Sequence, residues 1–218
     1  MATLRSEDTR RRLLEAATAV FADEGYHKAS TRTIARRAGT NIALIHYHFG
    51  DKAGLYRTIF ADRFRLAEES LATLQTAAPT FAEVYPRLVR RLLNASDDFR
   101  RVARREEIEP TGLLGREWLQ PLRKGHDLLV KTLCRELERG KPDVEVERLA
   151  FTLVGMATLF AHNQPFIRML SPDVLAPANW VDAIVDRLVR QAAVLIEAER
   201  SVRAAKPSSR RKYPARSP

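Results

Sequence analysis

Residues that do chemistry in other proteins are few in this chain, and they are scattered. His46 and His48 stand two apart. On a helix that spacing turns them to different sides, whereas helical metal ligands sit three or four apart. His126 and His162 are isolated, and each reads as a partly buried histidine with its hydrogen bonds satisfied rather than as a metal ligand. Cys134 is the only cysteine, so neither an intramolecular disulfide nor a cysteine-rich zinc site is available. Its setting, Leu133-Cys134-Arg135, reads as a buried and inert thiol. Paired carboxylates, a nucleophile motif and a Gly-rich phosphate loop are all missing. We therefore expect no enzyme, no metal and no cofactor.

Charge is the more informative chemistry, because it is unevenly spread. Residues 1–65 carry 12 basic and 7 acidic side chains, residues 66–199 carry 18 and 20, and residues 200–218 carry 7 and 0. Two basic ends around a nearly neutral middle point to a polyanionic partner, or else to a solvated surface with a basic tail. A hydrophobic content of 45% is enough for a packed core. No stretch approaches the roughly 18 consecutive apolar residues of a membrane helix. The polar start, Met1 to Arg12, has no signal-peptide pattern, so we expect a cytoplasmic protein without membrane attachment.

These residues must be carried by helices. Leu13, Leu14, Ala17, Val20 and Phe21 recur at three and four, giving a first helix over about Glu7–Glu24 that Gly25 ends. A short helix follows, with Thr31 as its expected cap and Ile34, Ala35 and Ala38 facing inward. Asn41 caps a third helix over Ile42–Phe49, and a long fourth runs from Asp51 toward Ala77. Further helices are expected over Thr80–Ala95 (opened by a Thr80/Glu83 capping box), Asp98–Glu109, Arg116–Arg139, Val144–Asn163 and Asn179–Arg203. Gln164–Ala178, with Pro165, Pro172 and Pro177, reads as a connector, and 204–218 as a disordered basic tail. The fold class is all-α. An N-terminal three-helix unit (1–50) is joined by a long helix to a larger helical domain (51–203).

Two short helices around Gly39-Thr40-Asn41 have the helix-turn-helix pattern. Small Ala35 and Ala38 allow close packing, Gly39 permits the sharp turn, and Ile45 anchors the second helix. Its other side is then free for a major groove about 12 Å wide. A plain helical hairpin fits the same spacing.

The stretch Thr31-Arg32-Thr33-Ile34-Ala35-Arg36-Arg37-Ala38-Gly39-Thr40-Asn41, followed by Ile45-His46-Tyr47-His48-Phe49-Gly50-Asp51-Lys52-Ala53-Gly54-Leu55-Tyr56, resembles the signature of TetR-family repressors. Leu14-Ala16-Ala17-Phe21-Gly25-Tyr26 also matches, so the likeness covers about residues 8–65. Farther along, Glu109-Pro110-Thr111 and Phe151-Thr152-Leu153-Val154-Gly155 resemble the CecR-like subgroup. The resemblance implies that Asn41, Ile42, Ala43 and Leu44 face bases, and that His46, Tyr47 and His48 touch phosphates or base edges. Lys52, Thr31 and Thr33 would bind phosphates. One departure matters: Ile42, Ala43 and Leu44 are apolar where many relatives are polar. They can touch thymine methyls but cannot hydrogen-bond bases, which shifts the reading toward phosphates and DNA shape.

For the C-terminal domain the resemblance implies an inducer pocket between the middle helices. Phe99, Trp118, Leu122, His126, Met156, Phe160, His162 and Asn163 are our candidates for lining a mainly apolar cavity with a few polar anchors. Each of the large apolar residues equally suits the core. The stripes Leu149/Leu153/Met156/Phe160 and Trp180/Ile184/Leu188/Val189/Ala192/Leu195 are candidates for a dimer interface or for packing within one subunit. The expected partners are double-stranded, palindromic operator DNA, a second copy of the chain and a small-molecule inducer. The rival readings are a helical protein-interaction module, separated by DNA retention at about 150 mM salt, and a regulator without a small-molecule inducer.

Overall fold

The computed structural model describes residues 2–75, 78–115 and 120–205. Among them are ten α-helices, a 3₁₀ turn at Pro172–Val174 and no strand. The helices are α1 Ala2–Lys28, α2 Thr31–Arg37, α3 Ile42–Phe49, α4 Lys52–Gln75, α5 Phe81–Leu93, α6 Asp97–Ile108, α7 Gln120–Glu136, α8 Val144–His162, α9 Gln164–Leu170 and α10 Trp180–Ala205. The expected tail lies, from 206 on, outside the described residues, as does Trp118.

Local chemistry explains most boundaries. Gly25 takes φ 77°, so the regular part of α1 stops where expected and only a short turn continues to Lys28. Glu83 accepts hydrogen bonds from the Thr80 N–H (2.8 Å) and hydroxyl (3.0 Å), starting α5 as a capping box does. The same two contacts hold its carboxyl below the usual range. Asp143 Oδ1 accepts from the N–H groups of Glu145 and Val146 at 3.1 Å, starting α8. The expected connector is not irregular: α9 occupies Gln164–Leu170. Pro165 stands in its first turn, where a missing N–H leaves no helical bond unmade.

Two cores result. The N-terminal one gathers Leu13, Ala17, Phe21, Ile34, Ile45, Leu55, Tyr56, Phe60 and, from α6, Val102. It therefore reaches past the expected 50/51 boundary into α4. The C-terminal core is built by α5, α7, α8 and α10 around Tyr85, Leu129, Leu133, Leu153 and Leu188. Each such leucine contributes about 1.5–3 kcal/mol by leaving water. Tyr85 donates its hydroxyl to the Leu153 carbonyl (3.0 Å), and burial pushes the phenol up to about 12. Cys134 is buried here, and burial raises its thiol as well.

This core takes most of the stripes considered for a dimer. Leu149 and Leu153 of α8, and Ile184, Leu188 and Ala192 of α10, pack inside the protomer. The opposite faces of the same helices are exposed and apolar, with Phe151 at 66%, Leu159 at 57% and Val194 at 69%. Phe166, Met169 and Leu170 of α9 are exposed too. No described helix is long and apolar enough to cross a membrane.

Candidate nucleic-acid interface

The two short helices are set by their caps. Ser30, in extended conformation (φ −114°, ψ 145°), accepts the Thr33 N–H at 3.0 Å and shares a 2.9 Å contact with the Thr33 hydroxyl. The cap of α2 is therefore Ser30 and not Thr31. Both residues carry a hydroxyl, and Ala29, 3% exposed, pins the chain just ahead of Ser30. Gly39 takes φ 62°, and a Cβ there would meet only the tip of Arg12 at 4.0 Å. Backbone conformation, rather than space, requires the glycine. Asn41 Oδ1 accepts the Ala43 N–H at 3.0 Å and starts α3. Ile45, at 0% exposure, locks α3 onto Ile34, Ala35 and Ala38.

The anchor decides which side of α3 faces out. Ala43, His46 and Tyr47 are exposed, Tyr47 at 78%. Its ring meets that of the half-buried His48 edge-on at 4.9 Å. Ile42 and Leu44 are half-buried against the N-terminal core, so only Ala43 of the apolar trio turns a methyl outward. His46 Nδ1 lies 2.8 Å from the Gly50 carbonyl, the geometry of a donated hydrogen bond that leaves Nε2 for an outside partner. Asn41 has its oxygen committed to the cap and keeps its amide nitrogen. Thr31 is half-buried, and the Thr33 hydroxyl is engaged by Ser30.

Lys52 is placed differently from the expectation. Its ammonium donates to the carbonyls of Tyr26 (2.9 Å) and Ala29 (3.0 Å) and sits 4.4 Å from the Tyr26 ring centroid. It ties the start of α4 to the end of α1, where helix carbonyls lack partners and a cation is favoured. The exposed cations are elsewhere. Arg32 and Arg36, one turn apart on α2, line a shallow recess with Ala35, Thr40, Asn41 and Ile42. Among the described residues neither has an acidic partner, whereas Arg37 pairs with Asp23 at 3.2 Å. Sequence reasoning passed over this pair. The available signal was the four-residue spacing of two arginines on a helix that must lie beside the groove.

Behind this face the N-terminal core is bolted to α6. Asp23 receives Arg37 of α2 and, at 2.9 Å, Arg101 of α6, and the two guanidiniums hold its carboxyl below the usual range. Arg105 donates to the carbonyls of Ala22 (3.2 Å) and Asp23 (3.3 Å). Tyr56 of α4 donates at 2.9 Å to Glu106, which is 3% exposed and also accepts the Thr111 N–H and hydroxyl at 3.1 Å. Burial and this carboxylate raise the Tyr56 phenol. α6 is thus tied directly to α1 and α4, and through Asp23 to α2.

The residues considered for a ligand do not converge on one cavity. Phe160 and Asn163 line a groove of about 770 Å³ with Phe166, Ile167, Leu170 and Arg187. Met156 lies in a neighbouring recess on α10. Leu122 is exposed. His126 meets Glu147 at 2.7 Å and the Phe151 ring at 4.8 Å, on the outer side of α7 and α8. Phe99 lies apart from these, next to Phe60 at 5.6 Å. His162 is half-buried, and burial lowers its imidazole. No group of three His, Cys, Asp or Glu side chains gathers at metal distance among the described residues.

Two family models match the chain. One, described as bacterial regulatory proteins of the tetR family, matches residues 13–59. The other, the C-terminal domain of the HTH-type transcriptional dual regulator CecR, matches residues 80–198. The chain is 32% identical over 125 residues to the dual regulator CecR of Shigella flexneri, covering 50% of this chain and 56% of that protein. To the HTH-type transcriptional repressor Rv1474c of Mycobacterium tuberculosis it is 35% identical over 99 residues, covering 45% and 48%. The chain thus spans about half the length of these curated relatives. Among solved structures, AibR in complex with isovaleryl coenzyme A and operator DNA superposes with a TM-score of 0.56 at 22% identity, covering 70% of this chain and 85% of that one. At that identity the likeness speaks to the fold. The helix-turn-helix geometry and the two matched regions, the second spanning more than half of the sequence, agree: this chain belongs to the TetR family of transcriptional regulators and carries a CecR-type C-terminal domain.

Proposed function

We propose that this regulator is a repressor that binds a palindromic operator as a dimer and is released by a small molecule held in residues 51–203. The observation that carries the DNA reading is the outer side of α2 and α3. Tyr47 is 78% exposed on a helix whose other side is anchored by Ile45, and the unpaired Arg32 and Arg36 flank it. A rigid short helix bordered by free cations suits a groove lined by phosphates. Arg32 and Arg36 position the complex, while Ala43, His46, Tyr47 and the Asn41 amide meet base edges. With so few polar readers, DNA shape carries much of the specificity. Lys52 supports the complex from behind by holding α4 on α1.

The exposed apolar side chains of α8, α9 and α10 support dimerisation: Leu159, Phe166 and Leu170 line one groove, Val194 lines the recess beside it, and exposed apolar patches mark interfaces. A two-fold dimer presents two α3 helices to successive grooves of one duplex face. AibR, which has the same fold, was crystallised with an acyl-coenzyme A and operator DNA, and this supports a small-molecule signal here. The protein acts in the cytoplasm, where its DNA is. The dual-regulator name of the Shigella relative favours a second reading, in which the same complex also activates some promoters.

Selection of bound fragments from the source genome, followed by titration at about 150 mM salt, tests the reading. A palindromic site is expected, with weaker binding by Tyr47→Phe. Failure to retain any duplex, or unchanged affinity of that variant, overturns it.

A further inference from the structure

α8 ends at Asn163 and α9 begins at once, so the chain bends there and leaves a hollow beside the first turns of α10. Its volume of about 770 Å³ falls in the range of small-molecule sites, roughly 300–1,000 Å³. Leu159 and Phe160 of α8, Phe166 and Leu170 of α9 and Ile184 of α10 line it. Leu159, Phe166 and Leu170 are exposed, so three large apolar side chains crowd around one open groove.

The polar lining is sparse and of one sign. Arg187 and Arg190 stand about one turn apart on one side of α10 and both line the groove. Among the described residues no carboxylate lines it, and neither arginine has a carboxylate within 4.0 Å or a hydrogen-bond acceptor. Asp186, the acidic side chain closest to them in sequence, is not part of the lining. Other cations of this region are engaged. Arg168 of α9 donates to the Leu175 carbonyl at 3.2 Å, Arg90 takes Asp182 at 2.7 Å, and Arg200 takes Glu136 at 3.1 Å. Asn163 commits its amide nitrogen to the Leu159 carbonyl at 3.0 Å. Two guanidinium forks and the Ser171 hydroxyl are the donors left in the lining. A second copy alone fits this groove poorly. An isologous contact through it sets the same two arginines of each copy on one patch, and like charges brought together oppose contact. An apolar chain ending in an anion suits both the walls and the forks, because the planar guanidinium meets the two oxygens of a carboxylate through parallel hydrogen bonds.

We propose that the groove between α8, α9 and α10 binds a small amphiphilic carboxylate, its head on Arg187 and Arg190 and its chain along Leu159, Phe166 and Leu170. The same two arginines also line the neighbouring recess with Met156 and Val194, so the bound head lies at the border of the proposed subunit contact. A filled groove with its charge neutralised offers the second copy a continuous apolar surface and changes how the two copies meet. This deepens the inducer and dimer reading and rests on it for its effect on DNA.

The test uses the full chain and three probes at matched ionic strength: octanoate, octyl phosphate and octan-1-ol. Calorimetric titration without DNA should show octanoate binding at least about tenfold tighter than the alcohol, as charge-assisted hydrogen bonds demand. Arg187→Gln and Arg190→Gln, made together, should abolish that preference and melt as the parent does, since both side chains are exposed. Arg65→Gln, on α4, should keep it. Ala183→Phe, which fills the groove, should weaken octanoate and octan-1-ol alike. Equal binding of octanoate and octan-1-ol, an anion preference that survives the double substitution, or unchanged affinities in Ala183→Phe would each overturn the site. Tighter binding of octyl phosphate would overturn the carboxylate head. Val194→Asp, expected to weaken the dimer, should keep the octanoate preference, and its loss there would show that the groove belongs to the second copy. Operator affinity and dimer strength are measured separately. Octanoate binding that alters neither retains the site and removes the inducer role. A chain blind to octanoate that still dimerises on its operator overturns the site and leaves the regulator reading standing.

Discussion

Two regions of this molecule present opposite surface chemistry. On α2 and α3 the exposed groups include Arg32, Arg36, His46 and Tyr47, standing on an apolar underside fixed by Ile45. On α8 and α10 the exposed groups include Phe151, Leu159 and Val194, standing on an underside of Leu149, Leu153, Ile184 and Leu188. A face for a polyanion differs in residue type from the core beneath it. A face for another apolar surface does not. The first is therefore readable from residue type and spacing, and the second needs coordinates.

Substitutions can break or sharpen this contrast. The largest effect is expected from Ile45→Ala, which leaves a cavity beneath α3 and costs about 2–5 kcal/mol. Denaturant unfolding of the N-terminal core should register it, with operator binding lost in parallel. Retained binding would mean that α3 does not depend on its anchor. Val194→Asp should leave each protomer folded but introduce an unpaired charge at the apolar face. We expect the dimer to weaken roughly a hundredfold, about 3 kcal/mol, as read by analytical ultracentrifugation. An unaltered dimer would remove α10 from the interface.

Lys52→Met separates a latch from a phosphate contact. Two carbonyls lose a charged donor, so stability should fall by about 1.5–3 kcal/mol. A variant of parental stability with weaker, less salt-dependent DNA binding would restore the phosphate role. Arg36→Ala is the smallest and most specific change. Stability should stay within about 0.5 kcal/mol, and the dependence of log affinity on log salt should lose about one unit of slope. An unchanged slope would show that α2 stands away from the backbone.

Much of the positional detail was legible, because it depends on neighbours in sequence. Gly25 and Gly39 adopt positive φ where a stop and a turn were expected, and Thr80 with Glu83 opens α5. Less legible features involved a choice between equivalent neighbours or a partner far along the chain. Ser30 and Thr31 are both competent caps, and backbone direction chose between them. A segment with three prolines reads as a connector, yet Pro165 starts a helix. Lys52 finds the carbonyls of Tyr26 and Ala29, more than twenty residues back. The residues expected around one ligand are dispersed, with Phe99 beside Arg63 and Phe160 in a groove between α8, α9 and α10.

By itself the sequence determined an all-helical chain with a short helix pair at 31–49, its turn glycine and its buried anchor. Periodicity, caps and backbone strain act over one or two helical turns and leave their mark in local order. Tertiary structure alone decided which side of α8 and α10 is core, that Lys52 is tied inward, and that Arg63 lies over the Phe99 ring. Those outcomes depend on what another helix presents at the same point in space. An apolar stripe or a lone cation looks the same in sequence whether it faces a neighbour, a second subunit or water.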